Sequence, residues 1–175
     1  STNCNLLFST INVNLDAGLG GVVSKNNLLI DDSLSWGLAA CKHANGRDWW
    51  IVAIRDASNT IFKILVTQSG ISSVTSQTVN MPVPSYGNAG QPCFSPDGTK
   101  FAFKNGLNNP SYHDVRMLSF DRCTGMFDSI GYTVRQNEFG FGLSFSPNSR
   151  YLYYSSGGHI YQLDTDAPNI AATDT

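Results

Sequence analysis

The sequence predicts an all-β protein, a β-propeller fragment of about three to three and a half four-stranded antiparallel blades. The first observation is a repeat: a short apolar strand, a tight polar turn and a second strand rich in aromatic residues occur three times. The copies begin at Cys41, Cys93 and Ser144, which lie 52 and then 51 positions apart. A repeat of roughly 40–50 residues made of strands alone is typical of four-stranded propeller blades.

The second observation is the composition. Of the 175 residues, 41% are hydrophobic and only 14% are charged, whereas about a quarter are charged in average soluble domains. Turn-forming residues fill the difference, as many short strands require. The net charge is −2 and the 11 Lys and Arg residues are scattered. This excludes a nucleic-acid binder, which gathers basic residues on one face. The longest apolar stretch, residues 49–54, is too short to span a bilayer.

The repeat divides the chain into four parts. Residues 1–35 are blade remnants, residues 36–86 and 87–137 are full blades, and residues 138–175 are an incomplete blade. The predicted strands cover 6–15 and 21–30; 36–42, 49–54, 61–67 and 71–79; 91–95, 100–104, 115–121 and 126–134; and 142–146, 151–155 and 160–164. No fourth strand is predicted in the polar tail at 167–175. Because closed propellers have four to eight blades and the chain starts without Met, we expect the natural polypeptide to continue at both ends, as a processed product or an excised fragment.

Aromatic residues in the second strands predict the core. Side chains of a strand alternate between its two faces, so we expect Trp49 and Trp50 to pack against different neighbouring blades. The aromatic residues predicted to pack within or between blades are Trp49, Trp50, Phe101, Phe103, Tyr151 and Tyr153.

Three polar strings between strands are interpreted as turns. SerProAspGlyThr at 95–99 and SerProAsnSer at 146–149 carry turn chemistry and lack the carboxylate spacing of a calcium loop. Asn45-Gly46 predicts a type I′ hairpin turn. A functional interpretation pairs His43 with Asp48 across that hairpin, with Arg47 as an anion contact. Because the turn recurs with other residues in the next copies, the sequence favours a structural role, with His43 hydrogen-bonded to Asp48 or to backbone.

The four cysteines contain no CxxC pair, which argues against a zinc site. Cys41 and Cys93 occupy the same register of neighbouring repeats. We expect both to be buried and not bonded to each other, because equivalent positions on adjacent blades point in parallel. The state of Cys4 and Cys123 stays open.

No motif in the sequence is typical of a known active site, and the sequence predicts no catalytic residue, no metal and no cofactor. The connections between second and third strands, and between successive blades, emerge on one face and are irregular, whereas the turns on the other face are short. Binding residues tend to lie on variable loops over a rigid scaffold. The candidate binding residues on the irregular loop face are Tyr86, Tyr112, His113, Phe139 and His159.

Several strings resemble known propellers. Residues 94–98 and 145–149 resemble the PheSerProAspGly turn that opens blades in the TolB-like and WD-repeat group. CysLysHisAlaAsnGlyArgAspTrpTrp (41–50), CysPheSerProAspGlyThrLys (93–100) and PheAspArgCysThrGly (120–125) resemble a family of large secreted Bacteroidota proteins. In that family a propeller precedes a C-terminal sorting domain read by the type IX secretion system. The resemblance implies a protein exported across the outer membrane, with a propeller of the seven-bladed type, and implies no catalytic residues.

We therefore expect a non-enzymatic binding or scaffold module of an exported, cell-surface-associated bacterial protein. Its partner would be a protein or a glycan at the cell surface, and remaining blades or another chain would close the propeller. We expect no nucleic-acid partner and no membrane insertion. Two alternatives stay open: a propeller-fold glycan hydrolase or lyase, which a carboxylate pair or a metal on the loop face would favour, and a structural component of a secretion or gliding assembly.

Overall fold

The computed structural model of the chain describes residues 4–82, 92–105, 112–136 and 140–175, with the backbone alone described at 112, 113 and 136. Within these ranges the chain is built from β-strands and two single-turn 3-10 helices at Asp16–Gly18 and Ile170–Thr173. The strands are β1 (Leu6–Asn12), β2 (Gly21–Ile30), β3 (Ala39–Lys42), β4 (Trp49–Ile54), β5 (Thr60–Thr67), β6 (Gly70–Thr78), β7 (Cys93–Phe94), β8 (Lys100–Asn105), β9 (Tyr112–Asp121), β10 (Met126–Gln136), β11 (Leu143–Phe145), β12 (Tyr151–Ser156) and β13 (His159–Asp164). The described part of the chain holds no helix long and apolar enough to cross a membrane.

The strands pair antiparallel into four sheets, which confirms the predicted fold class, an all-β propeller fragment. Sheet 1 contains β1 and β2; sheet 2 contains β3 to β6; sheet 3 contains β7 to β10; sheet 4 contains β11 to β13. Each is a meander in which strands adjacent in the chain are adjacent in space. The chain divides into two compact units, Ser1–Leu34 with sheet 1 and Ser35–Thr175 with sheets 2 to 4.

The first unit is a two-stranded ribbon. Its register shifts at three places, and large apolar side chains, among them Leu7, Ile11 and Val22, are about half exposed or more. A two-stranded ribbon buries little surface by itself.

The second unit has two apolar clusters, one on each side of sheet 3. In the first, Trp50 and Val52 of sheet 2 pack with Phe101 and Phe103 of sheet 3. In the second, residues of the opposite face of sheet 3, including Ala102, pack with sheet 4. The alternation of side chains along a strand produces both clusters, because neighbouring residues of β8 point to different sheets. The first strands β3, β7 and β11 lie side by side.

The aromatic predictions are confirmed for three residues and wrong for two. Trp50, Phe101 and Phe103 are 6%, 0% and 3% exposed. Trp49 is 43% exposed and Tyr153 is 37% exposed, so neither is a core residue. Alternation is again the reason, since Trp49 lies on the face of sheet 2 opposite the first cluster. Tyr151 is half-buried and lies on the same face of sheet 4 as Tyr153.

The tail at 167–175 is also more ordered than predicted. Ile170 is buried in the second cluster. Gln162 of β13 and Thr175 exchange two backbone hydrogen bonds, N···O 2.8 and 3.2 Å. The end of the described chain therefore pairs with the outer edge of sheet 4, in the position that a fourth strand occupies in sheets 2 and 3.

The turns after β3, β7 and β11 share one hydrogen-bond pattern. The side-chain oxygens of Asn45, Asp97 and Asn148 each accept a backbone N–H two residues further along the chain, at 2.9–3.2 Å. The next residue in each turn has a positive φ of 72°, 73° and 62° at Gly46, Gly98 and Ser149. The prediction of turn chemistry is confirmed, but the type I′ assignment is wrong, because the φ of Asn45 is not positive.

The structural interpretation of His43 is confirmed. The backbone N–H of His43 donates to the Asp48 carbonyl at 2.8 Å, and the ring Nδ1 accepts from the Asn45 backbone N–H at 3.1 Å. Nε2 therefore carries the proton and donates to the carbonyl of Cys123 at 3.1 Å. The ring links the turn of sheet 2 to the last turn of sheet 3.

All four cysteines are free thiols. Cys41 is buried and Cys93 is half-buried, and they are not bonded to each other, as the register predicts. Burial raises the pKa of Cys41 to about 11 and that of Cys93 to about 12, so both are neutral at ordinary pH. Cys4 and Cys123 are exposed.

Candidate functional site

Sheets 2 to 4 have two different ends. At one end, which we call the turn end, lie the short turns 43–48, 95–99 and 146–150. At the other, the loop end, lie the connections 55–59 and 157–158 and the strand ends that flank 83–91, 106–111 and 137–139, three segments outside the described residues. The sequence places the candidate binding residues at the loop end.

The five candidate residues are described to different extents. Tyr86 and Phe139 lie outside the described residues. Tyr112 and His113 are the first two residues of β9, and their side chains are likewise outside the description. His159 is the first residue of β13 and is exposed, with its ring 6.2 Å from the ring of Tyr161. These last three lie at strand starts and not in loops.

A buried ion pair lies beneath the loop end between sheets 2 and 3. Arg116 of β9 is 2% exposed, and its Nη2 lies 2.8 Å from Oδ2 of Asp114, which is 3% exposed. Asn105 of β8 also donates to Asp114, at 2.6 Å. Arg116 Nη1 reaches across to Oδ1 of Asn59 at 2.7 Å and the carbonyl of Pro82 at 2.6 Å. The guanidinium therefore contacts the connection between β4 and β5 and the segment after β6, the two parts of sheet 2 that reach this end.

A buried lysine makes the corresponding link between sheets 3 and 4. Lys104 of β8 is 1% exposed, and its Nζ donates to the carbonyls of Gly140 and Ser155 at 2.7 and 2.8 Å. It also lies 5.6 Å from the ring centre of Tyr154. A side chain at Gly140 would collide with the main chain of Ser155, so only glycine fits there. Lys104 thereby holds the segment before β11 and the end of β12 against sheet 3.

A third charged cluster lies at the surface near His159. The guanidinium of Arg135 stacks 3.8 Å from the ring centre of Tyr161, donates to Oη of Tyr154 at 3.0 Å and lies 2.8 Å from Oδ1 of Asp174. Burial and the hydrogen bond to Asp174 raise the pKa of Tyr154. Its hydroxyl therefore donates to Asp174, at 2.6 Å, and ties the C-terminal segment to β12.

These groups position backbone and do not form a reaction centre. Each charge named above is hydrogen-bonded to protein partners, which leaves none of them as an acid, base or nucleophile aimed at open space. Within the described ranges no three His, Cys, Asp or Glu side chains come close enough to hold a metal ion. At the loop end, buried hydrogen bonds of Arg116 and Lys104 therefore link neighbouring sheets beneath connections that differ in length along the sequence.

Sequence reasoning did not find Lys104, Asp114 or Arg116. A signal for Lys104 and Arg116 was present, since each is a charged residue that directly follows an apolar residue, Phe103 or Val115, within a strand. Charged residues are almost never fully buried unless they are paired, so such positions mark buried hydrogen-bond networks. The acceptors that Lys104 and Arg116 reach in other sheets could not be read from the sequence, because they lie 34 to 57 positions away along the chain.

Comparisons with known sequences give no family. No protein-family model matches the chain, and no curated protein matches it.

Solved structures show the fold. The chain is similar to a candidate 6-phosphogluconolactonase from Bacteroides fragilis, with a TM-score of 0.58 and 16% identity, over 89% of this chain and 43% of that one. A candidate 6-phosphogluconolactonase from Bacteroides uniformis gives 0.59 and 16% over the same shares. The periplasmic gluconolactonase of Pseudomonas aeruginosa gives 0.53 and 13%, over 79% and 38%. The chain spans less than half the length of these structures, and at such low identity the likeness establishes a propeller fold and nothing finer.

Proposed function

We propose that the chain is a non-enzymatic binding module of an exported, cell-surface-associated protein, and that its partner, a protein or a glycan, contacts the loop end. The observation that carries this is the buried linkage of Arg116 and Lys104 to main-chain carbonyls at that end. A platform whose loop anchors are already fixed loses little conformational entropy on binding, which favours recognition.

The choice of binding over catalysis follows from the state of the charged groups. Catalytic acids and bases face a substrate and have pKa values tuned for proton transfer. Arg116, Asp114 and Lys104 instead lie beneath the surface and hold backbone. Exposed aromatic residues at the loop end would supply the contacts, since aromatic side chains dominate many binding surfaces.

Export is proposed on different grounds. The likeness of residues 41–50, 93–100 and 120–125 to secreted Bacteroidota propellers with a type IX sorting domain supports a surface location. Trypsin treatment of intact cells of the source organism tests it, because a surface protein is cleaved while the cells remain closed. Protection of the chain in intact cells, with cleavage only after lysis, would contradict export.

The binding proposal is tested with an array of immobilised cell-surface polysaccharides and surface proteins of the source organism. Replacing Tyr112 and Phe139 together by Ala should weaken binding at least about tenfold while the free energy of unfolding changes by less than about 1 kcal/mol. Tyr132→Ala is a matched control, since Tyr132 is 42% exposed in the middle of β10. Equal binding by the double variant and the native chain, or equal loss in the control, would refute the loop end as the contact surface.

A second candidate function is sugar-lactone hydrolysis, which the fold likeness to two candidate 6-phosphogluconolactonases and a gluconolactonase favours. A pH-stat assay with glucono-δ-lactone and its 6-phosphate measures acid release. A rate above spontaneous hydrolysis that scales with protein concentration would replace the binding proposal with the enzymatic one.

A further inference from the structure

A cleft of about 490 Å³ opens at the turn end, around β3, the edge strand of sheet 2, and the 95–98 turn of sheet 3. One wall is the end of β3 with Trp49 at the start of β4, and the other is Phe94 with the 95–98 turn. Arg122, from the turn between β9 and β10, completes the lining. The volume falls within the range of about 300–1,000 Å³ that is typical of small-molecule sites.

The cleft contains two cations and one anion. Lys42 is exposed, and its Nζ lies 5.8 Å from the ring centre of Trp49; within the described residues no carboxylate is bonded to it. Arg122 carries the second positive charge, and Asp97 the negative one. The thiol of Cys41 adds no charge, because burial raises its pKa to about 11.

Arg122 is fixed but keeps unused hydrogen-bond donors. Its Nε donates to the carbonyl of Lys42 at 2.8 Å, Nη1 to the carbonyl of Asp97 at 3.0 Å and Nη2 to the carbonyl of His43 at 3.4 Å. A guanidinium has five N–H groups, so two are left for a ligand. No carboxylate in the described part of the chain neutralises this charge, and the guanidinium needs no reorganisation to meet an anion.

Asp97 supplies the opposite chemistry. Burial raises its pKa, but hydrogen bonds from Ser95 and Thr99 outweigh burial and lower it, so the group is ionised at neutral pH. Those bonds all reach Oδ1. Ser149 also hydrogen-bonds to Asp97. An ionised carboxylate has about four acceptor sites, so it can accept a further bond from a hydroxyl group.

Trp49 gives the cleft an apolar face. Its side chain is 43% exposed and lies outside the core cluster, although the indole is the largest apolar surface a side chain can bury. A flat apolar face beside two cations and one carboxylate matches a ring that is apolar on one face, hydroxylated at its edge and anionic at one substituent.

We propose that this cleft binds a carboxylated sugar, a uronate residue, with the sugar ring on Trp49. Its carboxylate contacts Lys42 and Arg122, and a ring hydroxyl donates to Asp97. This site lies at the opposite end of the sheets from the loop end and does not depend on the partner proposed there.

Isothermal titration of the whole chain with a galacturonate trimer and with the neutral galactose trimer tests the proposal. The uronate should bind at least about tenfold more tightly, and raising the salt concentration should weaken uronate binding alone. In a Trp36→Phe background, which leaves Trp49 and the buried Trp50, the uronate should also change the tryptophan fluorescence.

Two variants with matched controls locate the site. Lys42→Gln should reduce uronate affinity about tenfold or more and leave the weak galactose binding unchanged, because it removes a charge-assisted contact. Trp49→Ala should weaken the binding of both sugars, because each sugar ring would lie on the indole. Lys25→Gln and Trp36→Ala are the controls, since Lys25 and Trp36 are exposed outside the cleft, and both should bind like the native chain.

The proposal is overturned by equal affinity for the two trimers, by unchanged uronate affinity in Lys42→Gln, or by no saturable binding up to about 10 mM. Tighter binding of galactose 6-phosphate than of galacturonate would assign the cleft to phosphorylated sugars and overturn the carboxylate assignment. Thermal unfolding of each variant checks that it is folded. Because Lys42 is exposed, that variant keeps the test valid even if Trp49→Ala unfolds.

Discussion

The turn end and the loop end of the sheets use the same two residue types for the same task. At the turn end Arg122 links sheets 2 and 3 and Lys100 links sheets 3 and 4, each by hydrogen bonds to main-chain carbonyls. At the loop end Arg116 and Lys104 make the corresponding links. The difference is burial: Arg122 and Lys100 are half-buried, whereas Arg116 and Lys104 are 2% and 1% exposed.

This difference shows that repeated and unrepeated parts of the sequence are stabilised in different ways. The turn end is built from three similar strings whose side chains close each turn locally, so the linking cations can stay near water. At the loop end the connections differ in sequence and length. The buried cations Arg116 and Lys104 hold described segments beside these connections, and buried charges are costly to leave unpaired.

The largest effect that we expect separates the two arginines. Arg116→Met should lower the free energy of unfolding by about 3–5 kcal/mol, because it leaves Asp114 buried without its cation. Arg122→Met should cost only about 1–2 kcal/mol, since water can reach the carbonyls that it contacts. Urea denaturation measures both. Equal losses would show that burial is not what distinguishes the two ends.

The two neighbouring tryptophans sharpen the comparison at the turn end. Trp50→Ala should cost about 3–4 kcal/mol, since the ring is buried in the first cluster and its Nε1 donates to the carbonyl of Arg122 at 2.9 Å. Trp49→Ala should cost about 1 kcal/mol or less, as expected of a half-exposed residue. Thermal unfolding compares them, and a larger loss for Trp49 would place that ring in the core.

The repeated turns predict a smaller graded effect. A Cβ at Gly46 meets open space, so Gly46→Ala should cost about 1 kcal/mol for its positive φ alone. A Cβ at Gly98 would lie 2.9 Å from Cδ of Arg122, so Gly98→Ala should cost about 2 kcal/mol. Chemical denaturation ranks the two. Equal costs would mean that Arg122 moves freely, contrary to its role as a fixed link.

The last expected effect is confined to high pH and is the pH dependence contributed by Cys41 and Cys93. Their pKa values in the folded chain, about 11 and 12, lie above the value of 9.0 for a free thiol. The stabilisation of the folded chain by its neutral buried thiols is therefore complete below pH 9. It is lost as the pH rises toward those pKa values, by up to about 1.4 kcal/mol per pH unit per thiol. Comparing the free energy of unfolding of the native chain with that of Cys93→Ala from pH 8 to 11 isolates the contribution of the Cys93 thiol. If the free energy of unfolding depends on pH in the same way in the variant and the native chain, the Cys93 thiol ionises in the folded chain as easily as in the unfolded one.

The sequence alone determined the elements and their order. Alternating apolar residues and the Asn, Asp, Pro and Gly of the turns act over a few residues, so β2 and β4 were predicted with their observed bounds. The equivalence of Cys41 and Cys93 followed from the repeat for the same reason. The candidate residues at the loop end rest on this strand order, and their role in binding stays a prediction.

Tertiary structure decided which of two adjacent side chains is inside. Trp49 and Trp50 are equivalent in local propensity, and only the position of sheet 3 buries one and leaves the other for the cleft. Arg116 and Lys104 find their acceptors in segments distant along the chain, and the 170–175 segment finds its place only when sheet 4 offers an edge and a cluster. Local patterns set the strands and turns because their energies are local, whereas burial and buried hydrogen bonds depend on which sheets meet.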